Sequence, residues 1–324
     1  MITSEVVLTT LRENEGRLVS GAELAQKLGV SRAAVWKHVK RLRDEGYGIE
    51  TVPFEGYKLL SRPDLMLSAE IKATLTTERL GNEIYSFQET SSTSDVASAL
   101  ARGGAEEGTV VVADKQTAGR GRIGRSWESP PSVGIWMSVI LRPRVPPMNA
   151  PQLTIASAVA VADLLHEETG LEASIEWPND IVVRGKKVCG ILTEMVAEQD
   201  RVEFVILGIG LNVNHTEQDL SPELTDIATS LYLEDGVKRD RTALLCKLLE
   251  RFETYYEMLQ AGRFSEIAAR WSANSYTLGR RVRCTSDGQP VEGISESLGL
   301  DGALLVRTDD GELRRVTSGD VLYM

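Results

Sequence analysis

The chain has 324 residues, with 36 Lys/Arg against 47 Asp/Glu and a formal net charge of −11, so it is long enough for two or three domains and repels nucleic acid as a whole. Hydrophobic residues make up 42% and charged residues 26%, with no apolar run approaching a membrane span, which is the balance of a globular protein. Three scattered cysteines (Cys189, Cys246, Cys284) and three scattered histidines (His38, His166, His215) give neither a disulfide framework nor metal-ligand spacing, so no protein-held metal is expected.

The N-terminus lacks a basic stretch leading into an apolar one, so the cytoplasm is the expected compartment. Residues 1–60 carry 9 Lys/Arg and 8 Asp/Glu, a net of +1, which leaves −12 for the remainder. The N-terminal segment is electrostatically a separate object. Within it, 7–11 is a short apolar helix candidate. Ser20 and Glu23 have capping-box spacing ahead of Leu24, Ala25 and Leu28, and Gly29 ends that helix. Ser31 caps a second helix over 31–45, with Val35, Trp36, Val39 and Leu42 as its apolar positions.

Two short helices joined through Gly, the second with a polar face, read as a helix-turn-helix. Its exposed face carries Arg32, Lys37, His38, Lys40, Arg41 and Arg43. Strands at 49–52 and 56–59, around 53–56, complete a wing. The plainer alternative is a small helical packing domain with a solvated basic face. The cap, the Gly turn, the basic face and the wing together favour DNA binding, with the second helix in the major groove. Ser31, Arg32, Lys37, His38 and Lys40 are the expected DNA-binding residues, not yet divided between bases and phosphates.

Residues 61–64 suit a linker. Strands are expected at 109–112, 134–140, 175–177, 181–183, 188–192 and 204–207, and a helix at 150–169, which together describe a mixed sheet in an α+β domain. The segment 116–127 places three glycines and three arginines within Gly119 to Arg125. Free backbone N–H groups and guanidiniums suit a phosphate-bearing ligand. Gly119, Gly121 and Gly124 also match G-x-G-x-x-G, and 119–126 nearly matches a P-loop. Both patterns require a helix directly after the loop, whereas Pro130 and Pro131 follow.

Trp177 to Asp180 forms a turn with Pro178 fixing it and Asn179 and Asp180 presenting polar groups, a common turn when taken alone. Lys187 stands at the mouth of a buried strand in which Gly190 permits close approach, although a lone lysine there is usually only solvated. Gly208 to Asn214 ends another strand in a glycine-rich bend. Trp136 and its strand are candidates to line an apolar pocket. From 276 onward come short strands at 281–285, 291–296, 303–307, 312–316 and 321–323, with Asp310-Gly311 signalling a hairpin. They read as a small SH3-like β-barrel that serves as a cover.

Taken together, Ser31 to Ala34, Ser92 to Ser94, Gln116, Gly119 to Arg125, Trp177 to Asp180, Lys187 to Glu194 and Gly208 to Asn214 occur in the order found in the bacterial bifunctional biotin protein ligase and biotin operon repressor family, which this chain resembles over nearly its whole length. The resemblance implies an α+β protein with three domains. These are a winged helix-turn-helix at 1–63, a mixed-sheet catalytic domain at 64–274 and an SH3-like β-barrel at 275–324. It implies ATP with Mg²⁺ and biotin as substrates, a biotinyl-5′-adenylate intermediate that also acts as corepressor, and transfer of biotin to a lysine of a biotin carboxyl carrier protein domain. It further implies a ligand-promoted homodimer on operator DNA, with no membrane partner.

Carried over by similarity, Lys187 and Arg122 are the catalytic residues. Biotin contacts fall on Ser92, Thr93, Ser94, Gln116, Arg120, Gly121, Arg122, Lys187 and Gly190. Adenylate contacts fall on Trp127, Asn179, Asp180, Gly210 and Asn212. The family pattern has Asn at position 94, where this chain has Ser. Two other readings stay open at this point, a ligand sensor that binds biotin without catalysis and a lipoate-type ligase.

Overall fold

Alternating burial at helical spacing builds the N-terminal helices. In the structure, a computed structural model that describes residues 4–44, 46–62, 64–198, 201–286 and 289–324, α1 spans Ser4–Glu13, β1 Leu18–Val19, α2 Gly21–Leu28 and α3 Arg32–Asp44. Glu45, the expected end of the second helix, and Pro63, of the expected linker, lie outside the described residues, as do residues 1–3.

Ser20 Oγ accepts from the Ala22 N–H at 3.2 Å and so starts α2. Gly29 ends it at φ 65, a left-handed conformation in which a Cβ is strained. β2 (Gly48–Val52) and β3 (Gly56–Ser61) pair antiparallel as the wing, and β1 pairs with the other edge of β3. Val7, Leu8, Leu11, Leu24, Val35, Val39, Leu42 and Leu59 share one buried core. Trp36, expected among the apolar positions of α3, is instead 52% exposed. One residue past Val35 is about 100° around the helix, away from the core. α4 (Ser68–Thr74) closes this unit, with Arg12 reaching Glu70 Oε2 at 2.9 Å and Thr74 Oγ1 at 2.7 Å. The compact N-terminal unit therefore runs through Thr74, and 75–324 forms the second.

The second unit is built on β4 (Ile84–Thr90), α5 (Thr93–Arg102), β5 (Val110–Gln116), β6 (Gly134–Leu141), α6 (Pro151–Thr169), β7 (Ala173–Glu176), β8 (Asp180–Val183), β9 (Lys186–Glu198) and β10 (Arg201–Asn212), followed by α7 (Leu231–Asp235), α8 (Arg241–Gln260) and α9 (Phe264–Ala273). Its seven-stranded sheet runs β4-β5-β6-β10-β9-β8-β7. β4 and β5 are parallel across α5, and the other neighbours are antiparallel. This is the expected mixed sheet.

Because side chains alternate along a strand, Ile206 and Ile140 face α5, in one cluster with Ala97 and Ala101. Leu207 and its cross-strand partner Thr193 face the other way, where Thr193 meets Thr154 of α6 at 2.8 Å. The helical stretch Pro147–Thr169 has the length and mean hydropathy of a membrane span, yet most of its apolar part is buried inside this unit as a core helix.

β11 (Arg281–Ser286), β12 (Gln289–Leu298), β13 (Leu304–Arg307), β14 (Leu313–Val316) and β15 (Leu322–Tyr323) form a five-stranded antiparallel sheet ordered β14-β13-β12-β11-β15, where the barrel strands were expected. Gly311, at φ 86, turns the chain between β13 and β14. The segment is tied to the central sheet through Trp177, whose backbone N–H donates to Thr277 Oγ1 at 2.9 Å and whose indole donates to the Gly302 carbonyl at 3.1 Å.

Candidate functional site

A cleft of about 330 Å³ opens on the α5 face of the central sheet. Its floor is stripped of side chains where strands pair glycine with glycine, since Gly190 of β9 lies opposite Gly210 of β10. The indole of Trp127 fills that space. A Cβ on Gly210 would sit 2.5 Å from Trp127 Nε1, and one on Gly190 would sit 2.7 Å from its ring. The buried Trp127 Nε1 has no hydrogen-bond partner, a cost that a ligand acceptor would relieve. Gly190 thus accommodates Trp127, and the ligand approach expected there is to the indole that covers it.

Lys187 Nζ stands 2.7 Å from Asp180 Oδ2 and 5.1 Å from the centre of the Trp127 ring. Burial pushes the Asp180 carboxyl above its ordinary range, and Lys187 and Arg122 oppose that rise. Lys186, the next residue, reaches the Thr225 carbonyl instead, as strand alternation requires. Arg122 donates to Asn179 Oδ1 at 2.8 Å, and burial lowers its pKa. Arg120 faces outward, with Asp95 at 3.0 Å and Glu194 at 2.6 Å. The loop folds back on itself, with Trp127 N–H donating to the Gly119 carbonyl at 2.8 Å. Residues 122–124 make a single 3-10 turn, and the chain then runs into β6 without the helix that a P-loop or dinucleotide motif requires.

At the other end, a chain of hydroxyls and one amide closes the cleft. Gln116 Oε1 accepts from the Thr93 N–H at 2.8 Å and from its hydroxyl at 3.1 Å. Ser138 Oγ lies 2.8 Å from Thr93 Oγ1 and 3.0 Å from Ser94 Oγ. Ser92 also lines the cleft.

The structure therefore gathers Ser92, Thr93, Ser94, Gln116, Arg120, Gly121, Arg122, Trp127, Asn179, Asp180, Lys187, Gly190 and Gly210 around one cavity. Asn212 is not among its lining residues. It is buried and donates to the Thr229 carbonyl at 3.0 Å. Trp136 likewise stands behind the wall, edge-on to Trp127, with Met137 lining in its stead. Sequence reading missed Ser138, Glu176 and Asp320. Glu176 and Asp320 line the cleft. Burial raises the Glu176 carboxyl, and Asp320 ion-pairs with Arg125. Among the described residues no group of three or more His, Cys, Asp or Glu is placed to hold a metal, and Cys189, Cys246 and Cys284 are buried and in no disulfide.

In the N-terminal unit, Ser31 Oγ accepts from the Ala34 N–H at 3.2 Å. Arg32, Lys37 and Lys40 are exposed on α3. His38 is only partly exposed, its Nδ1 lying 3.2 Å from Ser4 Oγ. Arg43 turns back to donate to the Ile49 carbonyl and to Thr51 Oγ1.

Three sequence profiles match in succession, an HTH domain over 3–58, the biotin/lipoate A/B protein ligase family over 86–212 and the biotin protein ligase C-terminal domain over 277–323. With the fold and the cleft, they define a ligase of the biotin/lipoate type that carries a helix-turn-helix domain. The bifunctional ligase/repressor BirA of Bacillus subtilis is 44% identical over 94% of this chain and 93% of its own length. The biotin–[acetyl-CoA-carboxylase] ligase of Mycobacterium tuberculosis is 34% identical over 72% of this chain and 86% of its own. Among solved structures, biotin protein ligase from Aquifex aeolicus in complex with biotin and ATP superposes with a TM-score of 0.65 at 31% identity, covering 75% of this chain and 99% of that one. The chain belongs to the bacterial family of bifunctional biotin protein ligases and biotin operon repressors.

Proposed function

We propose that this protein activates biotin with ATP and transfers it to a lysine of a carrier protein, and that it represses biotin synthesis and transport genes with the activated intermediate as corepressor. The observation that carries the ligase reading is the cleft itself. A cation on Lys187, the Arg122 loop and an indole donor without a partner converge on one cavity.

The biotin carboxylate attacks the α-phosphorus of ATP, forming biotinyl-5′-adenylate and releasing pyrophosphate. The acceptor amine then attacks the mixed-anhydride carbonyl and releases AMP. Both steps bring negative or electron-rich groups together, so the enzyme contributes cations and position. Lys187 bridges carboxylate and α-phosphate, with Asp180 orienting its ammonium. Arg122, held by Asn179, covers the intermediate. Arg120, Gly121 and Gly190 complete the biotin side of the cleft. Trp127, Asn179, Asp180, Gly210 and Asn212 serve the adenylate, Asn212 from behind the wall. Ser92 and the hydroxyl chain of Thr93, Ser94 and Ser138 with Gln116 suit a ureido head, which both donates and accepts. ATP enters as its Mg²⁺ complex, the ion belonging to the substrate.

In this reading the domains divide near 63 and 274, the protein works in the cytoplasm, and the carrier is a biotin-accepting domain of a carboxylase, as the name of the Mycobacterium relative states for that protein. Ser31, Arg32, Lys37, His38 and Lys40 serve operator DNA, with His38 positioned through Ser4. The adenylate orders the glycine-rich loop and so favours a dimer that spans two half-sites. A ligand shifts that equilibrium only by binding the dimer-competent form more tightly.

Pyrophosphate release tests the ligase. It requires biotin and ATP together, and release with lipoate but not biotin would overturn the substrate. Sedimentation and gel shift test the switch. Biotin plus ATP raises the mass and tightens operator binding, and identical results with and without them would leave a ligase with a passive DNA-binding arm.

A further inference from the structure

Trp36 is the large apolar residue that α3 leaves exposed. Its neighbours Val35, Val39 and Leu42 are fully buried, whereas its own side chain is 52% exposed. Positions 32, 36 and 40 share one face of a helix, so the indole stands between Arg32 and Lys40, with Lys40 Nζ 5.8 Å from the ring centre. The rest of the polar face is partly committed within the unit. Arg43 bonds Ile49 and Thr51, His38 lies against Ser4, and Ser31 caps the helix. An aromatic surface flanked by two exposed cations, on a helix of a DNA-binding fold, is complementary to a polyanion that displays apolar groups. The major groove displays one such group, the thymine 5-methyl.

We propose that Trp36 is a base-reading residue, its indole packing against the 5-methyl group of a thymine in each operator half-site while Arg32 and Lys40 hold the helix against the DNA. This rests on the DNA-binding reading above. It adds apolar readout to a face for which charge alone gives affinity but no sequence preference.

The test starts from a duplex that the full chain, with biotin and ATP, selects from a randomised library. Each thymine is then replaced in turn by deoxyuridine, which lacks only the methyl. For the unaltered protein, one replacement per half-site weakens binding roughly four-fold, about the worth of one buried methyl group. Trp36→Ala, which removes the indole from both half-sites, binds the thymine duplex as weakly as the unaltered protein binds a duplex in which the responsive thymine of both half-sites is replaced, and does not distinguish the two. Trp36→Phe, which keeps an apolar ring, retains part of the distinction. The salt dependence of Trp36→Ala stays unchanged because no charge is removed. The proposal is overturned if Trp36→Ala still distinguishes thymine from uracil, if no thymine responds, or if the salt slope changes. A chain that selects no sequence refutes the DNA-binding reading itself, and this proposal with it.

Discussion

Lys187 and Asp180 meet at 2.7 Å on adjoining strands of the cleft, and the other carboxylate oxygen of Asp180 takes a hydrogen bond from the Asn179 amide at 2.9 Å. The ammonium is thereby held at a fixed place over the Trp127 ring, with the carboxylate behind it. In the proposed reaction a cation placed in advance costs no reorganisation when the phosphate reacts.

Lys187→Ala removes that charge, and the neighbouring Lys186 is directed to Thr225 and cannot substitute for it. Pyrophosphate release from ATP and biotin falls on the order of a hundred- to a thousand-fold, the scale of losing one preorganised electrostatic contact. Release at the unaltered rate would remove Lys187 from the mechanism.

Arg122→Gly cuts the bond to Asn179 and the longer one, 3.4 Å, to the Gly319 carbonyl. The loop then loses its hold on the cleft, and the adenylate escapes to acylate lysines at random. Biotin blotting of a bystander protein reads this directly. A shielding role for Arg122 is wrong if bystander labelling does not rise while adenylation continues.

Gly210→Ala places a methyl group where Trp127 Nε1 now lies, 2.5 Å from its new Cβ. The indole must shift, at a cost of about 1–3 kcal/mol for overpacking. Adenylation falls with a raised KM for ATP, and tryptophan emission changes as Trp127 is displaced. Normal kinetics with unaltered emission would show that the glycine pair is not what seats the indole.

His215 is buried edge-on to Trp136, and burial holds its pKa at about 4, beneath the ordinary 6.5. The unfolded chain therefore takes up a proton at a pH where the folded one does not. This contribution to stability is whole above pH 6.5 and is lost as pH falls toward 4, reaching roughly 2–3 kcal/mol by pH 4.5. Urea unfolding at pH 7 and pH 4.5 tests it. His215→Gln shows a smaller loss than the unaltered protein, and an equal loss in both would exonerate His215.

Much of this was legible in sequence because local rules wrote it. The Gly29 turn, the strand start at Gly134 and the α6 helix follow from turn chemistry and periodicity, whereas residues 208–212, read as a glycine-rich bend after a strand at 204–207, continue β10 in register with β6 and β9 because cross-strand pairing, not local sequence, decides them. The Gly/Arg loop, the turn at 177–180 and Lys187 announce a site by residue type, and the sheet brings them together. What stayed hidden depends on distant partners. Ser138 gained its place from the pairing of β6 with β5 and from α5, and Asp320 reaches Arg125 from almost two hundred residues away. Asn212 reads like a ligand-facing residue beside Gly210 but is drawn to Thr229. Trp36 reads as core because tryptophan usually is, and only the packing of Val35 and Val39 shows that no core lies on its side. Arg43 reads as a basic surface residue until the wing supplies the Ile49 carbonyl.

In the proposed function this cleft makes a biotinyl adenylate and passes it on. Intact-mass spectrometry of the full chain mixed with biotin, ATP, Mg²⁺ and a biotin-accepting carrier domain tests it most directly. Biotinyl-5′-AMP is expected bound to the enzyme when the carrier is withheld, and, once the carrier is added, it gains the mass of one biotinyl group on a single lysine. An enzyme that binds biotin yet forms no adenylate, and a carrier whose mass does not change, would contradict it and leave only a biotin-sensing DNA-binding protein.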